Sequence, residues 1–571
     1  MRNLVRFVAA IATLAVSSSA VAAINIDLSY VDTGSANYTR FKSYVDGAVA
    51  HPTNLPYLFA AADAAWLYKL VGQAQYCTLA VSLVDAQVTA AEQAISGGGV
   101  PVVAGDSYLN SGSMIADLSL TYDWCAAQTT SLQRTRWSAY AEQTVHNIWN
   151  YNTATWGGVS HPWTGWSTDN PGDNYYYSFL AATMYWALAS NSNSWKTFLT
   201  SQKIPLLETY FTNLPDGGSR EGTGYGVSHK NLFLLYRIWR DSTTQNMADA
   251  NTHLTDSILY WTHATVPTLD RFAPFGDQSR SSLPILYDYH RHLMLEARRM
   301  TDNTSAASIA SWWLTHISVP KMTSSFNYRY DLLPAGTNGV APADLVYHAT
   351  GTGHLFARTG WDTGAMWLAF AAGPYVESHA HQDQGAFTLF QGDWLAVTEN
   401  IFSHSGIQQG TNVANVVRFS KNGTTIAQKV GTTSTMTVNS VGVAGAVNAT
   451  ANLAPAYASN SGVHAWSRTI DFANRSLTVH DTFQVDAGVL STFQINVPTQ
   501  PTVSGSTIQA GAMQIHVLTP ANPTITLVQW STQDSDYNSG WRIDITGTGS
   551  EFVVQMATAA PSELILKNGF D

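Results

Sequence analysis

The segment His379-Ala-His381-Gln-Asp383-Gln-Gly385-Ala-Phe387 places two imidazoles and a carboxylate within five positions, just ahead of a strand-like run from Thr388 to Val397. Residues two apart on an extended chain face the same way, so the spacing predicts a common polar row of His379, His381 and Asp383. Such a row can hold a metal ion or a ligand carboxylate; the plainer reading is a set of satisfied polar residues on a solvated sheet face. Three loop segments also carry reactive types. Trp156-Gly-Gly-Val-Ser-His161-Pro-Trp163-Thr-Gly-Trp166 sets tryptophans beside glycines, offering flat rings to the apolar faces of sugars or plugging the loops of a helical domain. Asp169-Asn170-Pro-Gly-Asp173-Asn174-Tyr175-Tyr176-Tyr177-Ser178 runs from a loop into a helix. Helix capping accounts for one Asn or Asp there, but not for an amide followed by three tyrosines. In Asp216-Gly-Gly-Ser-Arg220-Glu221-Gly-Thr-Gly-Tyr225-Gly-Val-Ser-His229, Tyr225 lies between glycines that let backbone approach a ligand closely. A turn with a partly buried tyrosine is the alternative.

These residues must be positioned by two kinds of element. From about Leu55 to Ile317 the apolar spacing is helical, as in Trp66, Leu67, Leu70, Val71 and in Leu232, Leu235, Tyr236, Trp239. Gly/Ser/Asn/Pro breaks divide it into ten or more helices, which predicts stacked helical hairpins, as an α-solenoid or a closed α/α toroid. Past about Asn338 short alternating strands take over, with Thr469–Phe472 and Ser476–His480 reading as a hairpin. Many such strands imply an antiparallel sandwich. The expected organisation is therefore multidomain, α then β: a signal peptide over 1–22, an α/α domain over 23–325 and an antiparallel β-sheet domain over 326–571.

The first residues carry Arg2 and Arg6, an apolar stretch from about Phe7 to Val16, and Ala20-Val21-Ala22 as a cleavage site. That pattern predicts export, to the periplasm or the medium. No later stretch has the apolar length to span a bilayer. Charged residues make up 12% of the 571-residue chain and aromatics 12%, with 19 tryptophans. Net charge is −11, or −13 once the two signal arginines leave 26 basic against 39 acidic residues. This balance argues against nucleic acid and requires that the cations for any anionic ligand be local. Cys77 and Cys125 are either one disulfide or two buried thiols.

The stretch from Phe356-Ala-Arg358-Thr-Gly-Trp361 through His379–Phe387 to Trp394-Leu-Ala-Val397 resembles the β domain of heparinase II/III-type polysaccharide lyases. Asn174-Tyr175 is similar to the Asn-Asn-His element of alginate and heparin lyases, and the run from Asp216 to Gly226 to their Asp-Gly-Ser…Tyr-Gly segment. The resemblance spans roughly residues 170–418. It implies an N-terminal α/α toroid, a C-terminal antiparallel β-sandwich, an active cleft between them, and β-elimination on a uronate polysaccharide such as alginate or glucuronan.

In that reaction the C5 proton leaves beside a carboxylate whose charge opposes carbanion formation. An amide or imidazole must therefore hold the carboxylate, while a base takes the proton and an acid protonates the leaving O4. By resemblance, Asn174 and His379 hold the carboxylate, Tyr225 protonates the leaving oxygen, and His381 matches a histidine that binds structural zinc in some relatives. Tyr175 stands where many relatives carry a histidine base, so either Tyr175 is the base or Tyr225 serves as both base and acid. A tyrosine base needs a nearby cation; Arg280 is the first candidate and Arg220 the second. Trp163 and Trp166 are expected to line the cleft. Thr398-Glu399 and Ala414 replace the relatives' other zinc ligands, so no metal or cofactor is assigned; His381, Glu399 and His404 form the alternative metal set. The expected partner is an anionic polysaccharide, with no oligomeric state assigned. Two rival functions are a toroid glycoside hydrolase working through two carboxylates among Asp173, Asp216, Glu221 and Asp277, and a non-catalytic carbohydrate-binding protein.

Overall fold

The computed structural model describes residues 24–278, 283–318 and 325–558. The signal segment and Arg280 lie outside them. An N-terminal array of α-helices is followed by antiparallel sheets, a toroid plus β-sandwich architecture. Helix Asn174–Ala189 is buried almost all round, because aromatic and aliphatic residues occupy nearly every position. It packs between helices Ser111–Trp124 and His229–Thr243. Gly112 permits the close crossing: a Cβ there would lie 2.8 Å from the Ser178 carbonyl oxygen, and the Gly112 N–H donates to Ser178 Oγ at 2.8 Å.

Early and late parts of the helical array are tied together. The Asn25 N–H donates to Ser242 Oγ at 3.0 Å, and Arg299 pairs with Asp27 at 2.7 Å. Asp331 accepts from Arg40 on helix Ala36–Ala50 and from Arg291 on helix Asp288–Met300. Cys77 and Cys125 form a disulfide, tying helix Ala74–Ser96 to the end of Ser111–Trp124.

The last described α-helix ends at His316, and the first strand of the β half opens at Val346. Strands Val346–Ala349, His354–Arg358, Trp367–Ala371, Phe387–Gln391 and Asp393–Ala396 form one antiparallel sheet in that order. Both faces are covered, which explains its near-continuous apolar strands. Phe356, Trp367 and Ala369 face the helical core, while Leu355, Leu368 and Phe370 face the core shared with the remaining sheets. Those are a second five-stranded sheet and an eight-stranded one. The joint between halves is polar and specific. Arg358 and the Trp367 indole N–H donate to the His263 carbonyl, each at 2.9 Å, and the Tyr260 hydroxyl meets His354 Nδ1 at 2.8 Å.

The run expected as one strand from Thr388 to Val397 is a hairpin, turned at Gly392 with φ +70°. His379 to Asp383 is loop rather than strand, so the polar row read from period-two spacing does not form. The two imidazoles meet on a carboxylate from the other half of the molecule instead.

Candidate active site

Asn174 and Tyr175 occupy the first positions of helix Asn174–Ala189, whose N-cap Asp173 accepts from the Tyr175 backbone N–H. The preceding loop reaches the β half, where the Asn170 amide donates to Glu377 at 2.9 Å, two residues before His379. Tyr225 lies in a short helix, Gly222–Gly226. Its glycines pack against the loop Phe275-Gly-Asp277-Gln278, where the Thr223 N–H donates to the Phe275 carbonyl at 2.8 Å. Side chains at Gly222 (φ +89°) or Gly224 would overlap that loop's backbone. Gly276 (φ +68°) is wedged between the Glu221 and His379 carbonyls, and the Asp277 N–H donates to His379 O at 2.9 Å. The glycine-rich run therefore lets two backbone segments and the histidine loop meet without intervening side chains.

At that meeting point the rings of Tyr225 and His379 stack, with centroids 3.6 Å apart and planes 8° from parallel. His379 Nδ1 lies 3.0 Å from Asp277 Oδ2, and His381 Nε2 lies 2.7 Å from Oδ1. The Gln409 amide donates to both oxygens at 3.2 and 3.3 Å. Burial alone would raise the Asp277 carboxyl, but the hydrogen bonds from His379 and His381 win and hold it at about 2. Asp277 is thus an anionic acceptor, which requires His379 to donate through Nδ1 and turns Nε2 away from it. Nε2 points toward Glu221, whose nearest oxygen is 3.9 Å away, beyond hydrogen-bond range. Glu221 is 0% exposed, and neither carboxyl oxygen has a hydrogen-bond partner among the described residues. Burial, then Asp173 and Glu377, push it well above the usual carboxylate range.

Asn174 and Tyr225 share the wall of a cavity of about 450 Å³. Asn174 Oδ1 is buried without a partner among the described residues. Tyr175 is held differently. Its hydroxyl donates to Asp106 at 2.9 Å, and burial followed by Asp106 pushes the phenol up to about 12. That is the reverse of what a phenolate base needs.

Several expected residues lie elsewhere. Trp163 packs among Tyr108, Tyr151 and Phe179 and donates its indole N–H to the Asn147 carbonyl at 2.9 Å. It props up the loop and is not on the cavity wall. Trp166 is 48% exposed and also off that wall. Arg220 is occupied by the carbonyls of Asn213 and Gly351. Asp383 is not beside His379; burial pushes its carboxyl up to about 6. Among the described residues no three His, Cys, Asp or Glu side chains are gathered to hold a metal, and the set of His381, Glu399 and His404 does not assemble. Glu399 lies against Gly540 instead. The sequence reading missed Asp277 as the anchor of both histidines, and missed Gln409 altogether. The one local signal was an aspartate following a glycine in the Phe275-Gly-Asp277 loop.

No family model matches this chain, and no curated protein matches its sequence. Solved structures do match in fold. A heparinase III superposes with a TM-score of 0.60 at 11% identity, covering 96% of this chain and 88% of that one. A second heparinase III gives 0.59 at 12% identity, covering 95% and 87%. The heparan sulfate lyase HepC of Pedobacter heparinus gives 0.54 at 14% identity, covering 93% and 85%. This chain has the heparinase-like polysaccharide lyase fold. No helix among its described residues is long and apolar enough to cross a membrane.

Proposed function

We propose that this protein is an exported polysaccharide lyase that cleaves a uronate-containing chain by β-elimination. The observation that carries the reading is the Tyr225–His379 stack at 3.6 Å, with Asn174 on the same cavity as Tyr225. The fold shared with lyases of anionic polysaccharides supports it. In this reading the Asn174 amide and His379 neutralise the uronate carboxylate and stabilise the enolate-like intermediate. Tyr225 takes the C5 proton and returns it to the leaving O4. His379, oriented by Asp277, lies face to face with the Tyr225 phenol and holds it in place for proton transfer. Tyr175 keeps its proton and helps shape the site.

The hydrolase alternative lacks its pair of available carboxylates. Asp173 caps a helix, Asp216 accepts from Thr350, Asp277 is saturated by two histidines and Gln409, and Glu221 is sealed from solvent. With modest basic content, the favoured substrate is an unsulfated polyuronate such as alginate or glucuronan. The test is a panel of polyuronates followed by ultraviolet absorbance. A conjugated unsaturated product is expected; new reducing ends without absorbance would mean hydrolysis, and binding with no turnover on any substrate would mean a scaffold protein.

A further inference from the structure

The cavity that Asn174 and Tyr225 share continues into the toroid along helix His229–Thr243. Past Tyr225 its wall includes Ser228, Asn231 and Leu235, spaced three and four residues apart and so on one helical face. Lys230 also lines it. Two polar atoms on this wall, Asn174 Oδ1 and Ser228 Oγ, are buried without hydrogen-bond partners among the described residues. Buried polar groups are rarely left so unless something else satisfies them.

The Lys230 ammonium has no ion pair or hydrogen bond among the described residues, and its contact is the Tyr289 ring face at 5.6 Å. Lys42 and Lys203, by contrast, pair with Asp46 and Asp169, both at 2.6 Å. Across the cavity, Arg329 is already paired with Asp63 at 3.1 Å and has Asp117 nearby. Burial draws the Lys230 ammonium down to about 8 despite Asp288, the expected effect of a cation desolvated without a full counterion. In a chain of net charge −11, such a cation on a ligand-sized cavity matches an anionic group brought by the ligand.

We propose that this cavity is the subsite for the sugar ring next to the reacting uronate, and that Lys230 binds an acidic substituent of that ring, a carboxylate or a sulfate. Ser228 and Asn231 hydrogen-bond the same ring from the helix's first turn, where the helix dipole also favours negative charge. The position of the subsite relative to the reaction rests on the lyase reading above.

The test compares wild type, Lys230→Met and Lys230→Arg, each checked by thermal melting. Three oligosaccharide types serve as probes: contiguous uronates, uronates alternating with a neutral sugar, and uronates alternating with a sulfated sugar. Binding is read by calorimetry and turnover by ultraviolet absorbance. Loss of a charge-assisted hydrogen bond is expected to weaken Lys230→Met binding about tenfold or more, with KM rising and kcat little changed. The loss should fall on ligands with an acidic neighbouring ring, spare the neutral-alternating one, and be rescued by Lys230→Arg. Whether it is larger for contiguous uronates or for the sulfated series identifies the anion as carboxylate or sulfate. Equal losses on all three probes, unchanged affinity, or no binding of acidic oligosaccharides by wild type would each overturn the subsite. Lysine-dependent binding without any ultraviolet product would instead sink the lyase reading and leave the subsite standing.

Discussion

Replacing Asp277 with Asn tests the architecture of the site most directly. The carboxylate accepts from His379 at 3.0 Å, from His381 at 2.7 Å, and from Gln409 on both oxygens. An amide keeps the shape but has one accepting oxygen, so its NH₂ must face one of the two imidazoles, which then turns or changes tautomer. The carboxyl is ordinarily near 3.8 and is held at about 2. At about 1.4 kcal/mol per tenfold change in acidity, and allowing for solvent at the partly exposed His379 edge, that is about 2 kcal/mol of stability. The folded value lies below the unfolded one, so this contribution is complete above about pH 4 and is lost as pH falls through about 2. Asp277→Asn should therefore melt below wild type at pH 7, and the gap should close as the pH approaches 2. Turnover should fall about a hundredfold at saturating substrate, because the imidazole stacked on Tyr225 loses the carboxylate that orients it. Ultraviolet product formation and denaturant melts across pH measure both effects. A variant with kcat within about threefold of wild type and unchanged stability at pH 7 would refute the assigned role of Asp277.

Three other substitutions and one chemical treatment extend the argument. Tyr225→Phe should abolish turnover while keeping oligosaccharide affinity, whereas Tyr175→Phe, which removes a phenol held protonated by burial and Asp106, should keep activity within about threefold. The reverse pattern would make Tyr175 the base. Because burial favours the uncharged form of Glu221, Glu221→Gln should cost less than about 1 kcal/mol in a urea melt. Glu221→Gln collapsing the fold would show that the carboxyl is ionised after all. The Cys77–Cys125 bridge closes a separation of 48 residues and should contribute about 4 kcal/mol by chain entropy. Reductant should lower the melting midpoint of wild type and leave a Cys77→Ser/Cys125→Ser variant unmoved.

The order of helices then strands was legible in the chain itself, and so were the types of the groups proposed to react. Apolar periodicity is a local property, and it switches from helical to alternating between the last described α-helix, ending at His316, and the first strand of the β half, at Val346. Asn174, Tyr225 and His379 stood out because an amide before tyrosines, a tyrosine between glycines and a His-x-His are poorly explained by packing. Which of them meet, and on what, was decided only by the tertiary structure. Asp277 and His379 are 102 positions apart, and Asp277 and Gln409 are 132 apart. No spacing rule reaches that far. The period-two row failed because the His379 segment is a loop pinned by a backbone bond to the Asp277 loop, not an extended strand. Trp163 looked like a sugar platform from its glycine neighbours, yet the Asn147 carbonyl and three aromatic rings claim it. Local pattern thus singled out the candidate groups, while close backbone approach at Gly222, Gly224 and Gly276 determined which of them became neighbours.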